Sequence, residues 1–462
     1  MRHLTIAISA SFLALLTPSH AATVSITTVA LTGNDAPGGG GVVFDFVSTT
    51  GPRINANGEV FFDANLSGPG ITGANDNVLI SGAAGGLIIA AREGDPAPGG
   101  GVLGFPGLGL NINNNGQIAI EGSPFGGANG GAFAGTPGAL FQAAQNGAVA
   151  PGTGGATFTT IDAVSVNDAG IVGFAAVLSD GREGIFVVDG SVITPVALTG
   201  DAVSGVPGAT ISNIDLFEVS PVSNGGAIAF EADITGGAVT SADNTVLLTA
   251  GIGGLAIAAR EGDIAPGTGG AIFDSDFEDP DFTDTGELSF LAELETGVAG
   301  VTSNSDEVFF ISGPGGLTLA AQESDIVPGT ADTAIDLILE ATANDLGTIV
   351  LEALLEGTNI TSDNNRALLF DLGSGLETFL QEGDLFDVGG GDLRTIVLLS
   401  IAEFASLNDS NQLAFSAVFS DGTSGIFRAD LGIAEVPLPA AAWIFLAGLG
   451  GLGAMRRRSN LT

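Results

Sequence analysis

The sequence predicts an all-β protein, and within that class a β-propeller of seven four-stranded blades. Three observations support this prediction. Two short motifs recur in step seven times along the 462 residues, each repeat holds about four strand-like segments, and turn-forming glycine is abundant, with 73 residues. A small sheet cannot bury both of its faces alone. Tandem repeats of such sheets are therefore typical of β-propellers, in which each blade packs against its neighbours. We assign residues 22–432 to this repeat domain.

Two other repeat architectures fit the sequence less well. The copies are about 58 residues apart, whereas a β-helix needs coils of roughly 20–30 residues. Two stacked β-sandwiches would have to divide seven copies unevenly. The β-helix is therefore the second alternative and the sandwiches are the third.

The chain begins with the features of a secretory signal peptide. Arg2 and His3 precede an apolar run, Leu4–Leu16, and a small-residue site ends at Ala21. This order of parts predicts export and cleavage after residue 21 or 22. An uncleaved membrane anchor is the weaker alternative, because the apolar run is short for spanning a bilayer.

The first repeated motif is an acidic loop rich in glycine, AAREGDPAPG at residues 90–99 and AAREGDIAPG at residues 258–267. We call it the opening loop. A turn made by Gly262, Asp263 and Pro266 explains it physically. Because Ala148 replaces the aspartate in one copy, a turn is favoured over a ligand site. The aligned positions are Gly33, Gly94, Gly147, Gly200, Gly262, Ser324 and Gly383.

The second motif is a turn followed by a strand, as in NANGEVFF and NDAGIVGF. The pairs Asn57-Gly58 and Asn115-Gly116 predict a tight hairpin turn with both central residues at positive φ. The residues that follow alternate in the two-residue period of a half-buried strand. The turn position is occupied in successive copies by Gly58, Gly116, Gly170, Gly226, Gly286, Gly347 and Asn411.

A hairpin closes each repeat, as in VLLTAGIGGLAIAAREG. If its two strands belong to one blade, the first strand of the domain, Val24–Leu31, has no partner before it. The last strand, Gly425–Leu431, has none after it. Pairing these two strands would close the ring and remove two exposed edges, and we predict that it occurs.

The C-terminal segment, residues 433–462, has three parts. Val436, Pro437, Leu438 and Pro439 end the last strand, residues 440–455 form an apolar helix candidate, and three arginines follow. This pattern is that of a stop-transfer segment whose basic end stays in the cytoplasm. A plain C-terminal transmembrane anchor is the alternative. The basic residues are Arg456, Arg457 and Arg458.

This segment resembles the PEP-CTERM sorting signal of Gram-negative bacteria, in its VPLPAAAW form. Leu438 stands where that signal usually has glutamate. The resemblance implies processing by an exosortase-type enzyme, transient membrane contact through the apolar helix, and delivery to the outer surface or the extracellular matrix.

The repeats resemble a bacterial group with tandem NxxGxxAF repeats and varied surface anchors. The best matches are Asn167 to Gly170 with Phe174, and Asn408 with Phe415. The resemblance covers roughly residues 24–431 and implies surface display on a propeller-like body.

Four longer repeats carry polar loops that could hold calcium, which prefers several oxygen ligands. The candidate ligands are Asp76, Asp243, Asp306 and Asp363. Their spacing matches neither the EF-hand nor the nonapeptide calcium pattern, and solvated loop tips are the alternative. The acidic run at residues 274–279 is likewise predicted to be a solvated loop. No other cofactor is predicted.

The residue types that are absent restrict the chemistry. The chain has 52 acidic and 11 basic residues, no cysteine and no lysine, and its two histidines, His3 and His20, lie in the leader. A surface of this charge repels nucleic acid. A Ser-His-Asp triad needs histidine and a Schiff base needs lysine, so the repeat domain can form neither. We therefore predict a non-enzymatic surface or matrix protein that binds or scaffolds through its loops, with exopolysaccharide or surface components as partners. The alternative is a secreted carboxylate-dependent polysaccharide hydrolase or lyase.

Overall fold

The computed structural model describes residues 22–104, 106–122, 130–251 and 253–433. Ser25–Asp430 is one compact unit. The other described residues, 22–24 and 431–433, are the start of the first strand and the end of the last strand. Every regular element in these residues is a β-strand. Within them, no helix is long and apolar enough to cross a membrane.

The strands form seven sheets, numbered here as blades 1 to 7 along the chain. The first strand, β1 (Ala22–Leu31), belongs to blade 7. Blade 1 contains β2 (Val43–Val47), β3 (Arg53–Ile54), β4 (Val60–Ser67), β5 (Asn77–Gly82) and β6 (Ile88–Arg92). Blade 2 contains β7 (Pro106–Ile112), β8 (Ile118–Gly122), β9 (Gly131–Thr136) and β10 (Ala139–Gln145). Blade 3 contains β11 (Phe158–Val166), β12 (Val172–Leu178), β13 (Glu183–Asp189) and β14 (Val192–Leu198).

The remaining four blades continue the pattern. Blade 4 contains β15 (Ala209–Val219), β16 (Ile228–Gly236), β17 (Thr245–Gly251) and β18 (Gly254–Arg260). Blade 5 contains β19 (Phe273–Phe282), β20 (Leu288–Leu294), β21 (Glu307–Gly313) and β22 (Gly316–Gln322). Blade 6 contains β23 (Ala334–Ala343), β24 (Ile349–Glu356), β25 (Arg366–Asp371) and β26 (Glu377–Gln381). Blade 7 contains β27 (Leu385–Asp387), β28 (Leu393–Ser400), β29 (Gln412–Phe419) and β30 (Ser424–Ile433).

Each blade is an antiparallel meander, so strands adjacent in sequence are neighbours in the sheet. The first long strand of each blade is the inner strand: Asp281 of β19 in blade 5 accepts a hydrogen bond from the amide of Ala405 in blade 7, across the axis. The fourth strand lies outside and alternates exposed and half-buried side chains, as β14 does. The prediction of seven four-stranded propeller blades is confirmed.

Neighbouring blades pack face to face through large side chains opposite small ones. In blade 3, Phe158, Phe174 and Phe186 have ring centroids 5.0–5.5 Å apart. They share a core with Ala119 and Ala132 of blade 2. Burying one phenylalanine stabilises the fold by roughly 1.5–3 kcal/mol. Strands such as β12 are therefore buried on both faces.

The first and last strands close the ring, as the sequence predicts. β1 pairs with β30 as the outer strand of blade 7. The amide of Thr32 donates to the carbonyl of Ser424 at 2.9 Å. The Ser424 hydroxyl also donates to the carbonyl of Val47 at 2.8 Å. The closure thus joins blade 7 to blade 1 as well as the two ends of the domain.

The turn after each inner strand differs from the predicted tight hairpin. In blade 1 the amide of Gly58 donates to the carbonyl of Asn55 at 2.9 Å, which makes Ala56 and Asn57 the central residues. Gly58 has a φ of 74°, whereas Asn57 does not have positive φ. The expectation of positive φ at both residues is wrong, because the left-handed residue follows a four-residue turn. Positive φ also occurs at Gly116, Gly170, Gly226, Gly286, Gly347 and Asn411.

The acidic run at residues 274–279 is not the solvated loop that the sequence predicted. It lies in β19, the inner strand of blade 5. Phe273 and Phe277 are buried in the core of this blade, and they hold the strand in place. The acidic residues of the run therefore belong to a strand of the ring and not to a loop.

Candidate functional site

The ring has two chemically different ends. Each inner strand runs from an opening loop to an Asn-rich turn, so these two kinds of connection lie at opposite ends of the blades. We call the end with the Asn-rich turns the upper face and the end with the opening loops the lower face.

Asparagine side chains link the upper-face turns of adjacent blades. In blade 3 the Oδ1 atom of Asn167 accepts from the amides of Ala169 and Ile171, at 3.1 and 2.9 Å. Its Nδ2 atom donates to the carbonyl of Ser223 in blade 4 at 2.8 Å. One amide therefore fixes its own turn and binds the next blade. The same interblade bond is made by Asn55, Asn113, Asn344 and Asn408.

The residue after this asparagine forms a second set of interblade bonds. The amide of Asn114 donates to Asp168 at 2.8 Å, and the amide of Asp345 donates to Asp409 at 2.9 Å. Asp284 of blade 5 departs from this pattern. Its carboxylate accepts from the side-chain amides of Asn114 and Asn224, at 3.2 Å each. Asn114 and Asp284 belong to blades 2 and 5, so these side chains meet across the axis.

The turns surround a cavity of about 120 Å³ on the axis of the upper face. Its rim is formed by the asparagine and aspartate side chains of the turns, and its floor includes Asp281. The Asp281 carboxylate is buried and bonds to the amides of Phe282 and Ala405. Burial raises the pKa of Asp281 to about 7. The cavity therefore ends on a carboxyl group that titrates near neutrality.

Carboxylates at the rim lie close to one another. Burial, together with the neighbouring carboxylates Asp345 and Asp284, raises the pKa of Asp409 to about 6. Asp345 accepts from the amide and the hydroxyl of Thr285, at 3.1 and 2.6 Å. None of the ion pairs among the described residues involves these aspartates. The rim is thus a negatively charged surface rich in hydrogen-bond acceptors.

A second group of carboxylates lies deeper along the axis. Asp279 precedes Asp281 by two residues in β19, which places it roughly 7 Å further from the upper face. It shares side-chain hydrogen bonds with Glu340 of blade 6 and Glu403 of blade 7. We call these three residues the axial carboxylates. Arg53, whose charge acts on Glu340 and Glu403, stacks over the ring of Phe404 at 5.1 Å.

Burial and mutual repulsion change the charge of this group. Burial, followed by the charges of neighbouring acids, raises the pKa of Glu340 to about 8 and that of Asp279 to about 11. Burial also lowers the pKa of Arg53. The Oε2 atom of Glu340 and the Nε atom of Arg53 are buried without a hydrogen-bond partner. Asp279 and Glu340 are therefore mainly protonated at neutral pH.

The four predicted calcium ligands lie in four different blades. Asp76, Asp243, Asp306 and Asp363 occupy the connections between the second and third long strands of blades 1, 4, 5 and 6, on the lower face. Asp243 accepts from the amide of Thr240 at 2.6 Å and pairs with Arg260 at 2.7 Å. In the described part of the chain, no three His, Cys, Asp or Glu side chains form a group suited to a metal ion.

The opening loops have the internal bonding of turns. The carboxylates of Asp201, Asp325 and Asp384 each accept the backbone amide three residues earlier, at 2.9–3.0 Å. Glu261, just before the loop glycine, accepts the amides of Asn244 and Thr245. The acidic side chains of these loops hold the connection between blades.

The sorting residues Val436, Pro437, Leu438 and Pro439, and the arginines at 456–458, lie outside the described residues. The sequence motifs located the upper-face turns but gave no sign of the cavity between them. They also missed the axial carboxylates, since Asp279, Glu340 and Glu403 come from three blades and share no motif. The signal that could have found Asp279 is the acidic run itself, in which Phe273 and Phe277 keep the apolar period of a strand.

Comparison with known proteins identifies the family of this chain and finds solved structures that it resembles. The sequence profile of a family of unknown function (DUF7453) matches residues 20–298 and 272–443. No curated protein matches the chain. The β-propeller domain of the Trilobed protease from Pyrococcus furiosus is 8% identical, with a TM-score of 0.46, over 84% of this chain and 96% of that one. The polysaccharide lyase Uly1 is 10% identical, with a TM-score of 0.43, over 86% of this chain and 94% of that one.

Proposed function

The chain belongs to this family of unknown function, and we propose that it is an exported, non-enzymatic protein of the cell surface or extracellular matrix that binds its ligand through the upper face. The observation that carries the proposal is the axial cavity, whose rim is built from equivalent turns of the blades and tied together by asparagine amides. A rim held from blade to blade is preorganised, which lowers the entropic cost of binding.

The chemistry of the rim defines the ligands that suit it. Asp168, Asp284, Asp345 and Asp409 supply carboxyl oxygens as hydrogen-bond acceptors around the cavity. Such a surface binds hydroxyl groups, and it binds anionic polymers only through a bridging cation. We therefore propose exopolysaccharide as the partner, with calcium as the bridging ion where the polymer is acidic.

The test is binding of the protein to immobilised alginate and to a neutral glucan, each with calcium and with chelator. We expect Asp284→Asn combined with Asp409→Asn to weaken binding at least tenfold. The control variant Asp95→Asn changes an exposed aspartate of the lower face and should leave binding unchanged. Equal losses in both variants would contradict a site on the upper face.

We also propose that the C-terminal segment sorts the protein, as its resemblance to the PEP-CTERM signal implies. The export signal, the apolar stretch and the three terminal arginines support this route. Replacing Arg456, Arg457 and Arg458 with serine should change the site of accumulation in fractionated cells, and the release of the mature chain should depend on the processing enzyme. Unchanged fractionation would count against the sorting role.

A carboxylate-dependent polysaccharide hydrolase is the second candidate, and the axial carboxylates favour it. Glycosidases need one protonated and one ionised carboxyl group, and the raised pKa values of Glu340 and Asp279 supply the protonated form. Release of reducing sugar from a polysaccharide, lost in Glu340→Gln, would support this function. No release by the unaltered protein would favour the binding role.

A further inference from the structure

The two Asp–Pro bonds of the chain lie in very different surroundings. Asp95–Pro96 belongs to the opening loop before blade 2, and both residues are exposed. Asp279–Pro280 lies in β19, where Asp279 is half-buried and Pro280 is buried. An Asp–Pro bond is unusually labile, because the aspartate side chain can attack its own carbonyl carbon and the proline nitrogen is a basic leaving group.

The backbone at Asp279 has an unusual conformation. Its φ is 49°, in the left-handed region that residues with a side chain rarely adopt. A residue before proline favours an extended conformation instead. The bond lies in a bulge of β19, between the pairs Glu278–Leu291 and Asp281–Ser289, and the amide of Asp279 donates to Oε2 of Glu218 at 2.9 Å. Backbone strain of this kind is concentrated at functional sites.

The conformation is shared with another blade, but the chemistry is not. Ala163 of blade 3 has a φ of 51°. It lies four residues before Asn167, as Asp279 lies four residues before Thr283. The bulge is thus a feature of the fold, and blade 5 adds to it a carboxyl group and a proline.

Two carboxyl groups lie within hydrogen-bond reach of the Asp279 side chain. Glu340 and Glu403 each share a hydrogen bond with it. A hydrogen bond between two carboxyl groups requires a proton on one of them. Burial raises the pKa of Glu340 to about 8, and its Oε2 atom is buried without a hydrogen-bond partner. Glu340 can therefore supply a proton beside Asp279 at neutral pH.

We propose that the chain cleaves itself at the Asp279–Pro280 bond. A carboxyl oxygen of Asp279 bonds to the carbonyl carbon of its own residue, and the bond from that carbon to the proline nitrogen breaks. The carboxyl proton of Asp279 passes to Glu340 or Glu403, which returns a proton to the leaving nitrogen. Water then opens the cyclic anhydride and leaves two carboxyl groups on Asp279. This reaction is independent of ligand binding at the upper face.

The products suit their surroundings. Cleavage releases the strained φ and creates a protonated secondary amine at Pro280, in an acidic environment. Arg53 also acts on two of these acids, Glu340 and Glu403. The strand pairs on both sides of the bulge hold the cut ends in the ring. Burial and four neighbouring acids raise the pKa of Asp279, and these acids are Glu340, Glu403, Glu218 and Glu278.

The test follows the purified full chain in mildly acidic buffer without denaturant, by denaturing gel electrophoresis and mass spectrometry. We expect the folded chain to cleave at Asp279–Pro280 at least tenfold faster than at Asp95–Pro96. The second bond is an internal control, because Asp95 lacks positive φ and its carbonyl accepts the Leu103 amide at 2.7 Å. In urea both bonds should cleave at the same rate. The cleavage rate of the folded chain should fall as the pH rises above about 8, where Glu340 loses its proton.

Variants separate the roles of the groups at the bond. Asp279→Asn and Pro280→Ala should each slow cleavage at this bond at least tenfold, and Glu340→Gln combined with Glu403→Gln should slow it about 100-fold. The control Glu121→Gln alters a half-buried acid of blade 2 whose pKa is also raised by burial, and it should leave the rate unchanged.

Four results would each overturn the proposal. They are equal cleavage of the two Asp–Pro bonds in the folded chain, cleavage that occurs only in urea, an unchanged rate in the double glutamine variant, and a chain that stays intact. A fragment that begins at Pro280 and elutes with its partner from a sizing column, in the absence of urea, would support it.

Discussion

In five of the seven upper-face turns, a single asparagine performs two separable tasks. The Oδ1 atom of Asn167 accepts two amides of its own turn, and the Nδ2 atom reaches the next blade. In blade 4 the equivalent residue is Ser223, whose hydroxyl accepts the amide of Ala227 at 2.9 Å. A serine side chain can satisfy the turn but is too short to donate to the following blade. Thr283 of blade 5 accepts the Glu287 amide in the same way.

This difference predicts a graded loss of stability at Asn167, which is buried. Asn167→Ser keeps one turn bond and loses the interblade bond, so we expect a loss of about 1–2 kcal/mol in the free energy of unfolding. Asn167→Ala leaves buried turn amides unpaired and should cost about 2–4 kcal/mol. Urea denaturation measures both values.

The control for this series is Asn34→Ala, which alters an exposed asparagine of an opening loop. It should change the unfolding free energy by no more than about 0.5 kcal/mol. Equal losses in the serine and alanine variants of Asn167 would mean that the interblade bond, rather than the turn, accounts for the whole effect.

At the scale of elements, the sequence pattern predicted which segments form strands. It did not always predict where in the ring a segment lies. The alternation after Gly170 predicts β12, and the paired apolar segments predict the β17–β18 hairpin. The sequence predicted a loop for the acidic run of β19, because its carboxylates hide the apolar period set by Phe273 and Phe277. An inner strand tolerates these carboxylates because it can expose polar groups to the central channel.

The closure of β1 on β30 can be tested by a covalent link. The γ oxygens of Thr32 and Ser424 are 3.2 Å apart, which is close enough for a cysteine pair to form a disulfide with modest adjustment. The chain has no other cysteine. In the Thr32→Cys, Ser424→Cys variant, we expect oxidation to raise the unfolding free energy by about 4 kcal/mol, because the bond closes a very long loop.

The reduced form of the same variant is the matched control. The thermal unfolding midpoint of the reduced form should lie below that of the unaltered protein, because the variant loses the bond from the buried Ser424 hydroxyl to Val47. Identical thermal midpoints for the oxidised and reduced forms, with the disulfide verified by mass spectrometry, would contradict closure at these two residues.

At the scale of the whole molecule, buried carboxyl groups determine how stability responds to pH. Burial is the main cause that raises the pKa of Glu121 to about 7 and those of Glu231, Glu307 and Glu340 to about 8. The folded chain therefore holds these protons to higher pH than the unfolded chain does. Their stabilising contribution is complete below about pH 4.5 and is lost as the pH rises through 7 to 8.

We accordingly expect the urea midpoint to be higher at about pH 5 than at about pH 8. Glu307→Gln should reduce the difference, because Glu307 is half-buried and bonds to the amide of Ile338. Asp189→Asn, at an exposed position, should leave it unchanged. A midpoint that rises with pH would show that these acids are not buried as described.

The architecture was far more predictable than the chemistry of the axis. Repeat spacing and strand period suffice for seven blades, because every copy obeys the same local rules. The axial cavity and the axial carboxylates depend on which residues of non-adjacent blades meet. Asp284 and Asn114 are an example: they are 170 residues apart, and only the geometry of the ring brings them together.

The outer strand of blade 7 is the first part of the domain to be synthesised, and its partner is the last. During synthesis β1 therefore emerges long before β30 exists. At high local concentration a waiting β1 can insert into the open blade of another molecule, since the hydrogen bonds are identical. Strand exchange between chains would then link propellers into a network without any additional binding surface.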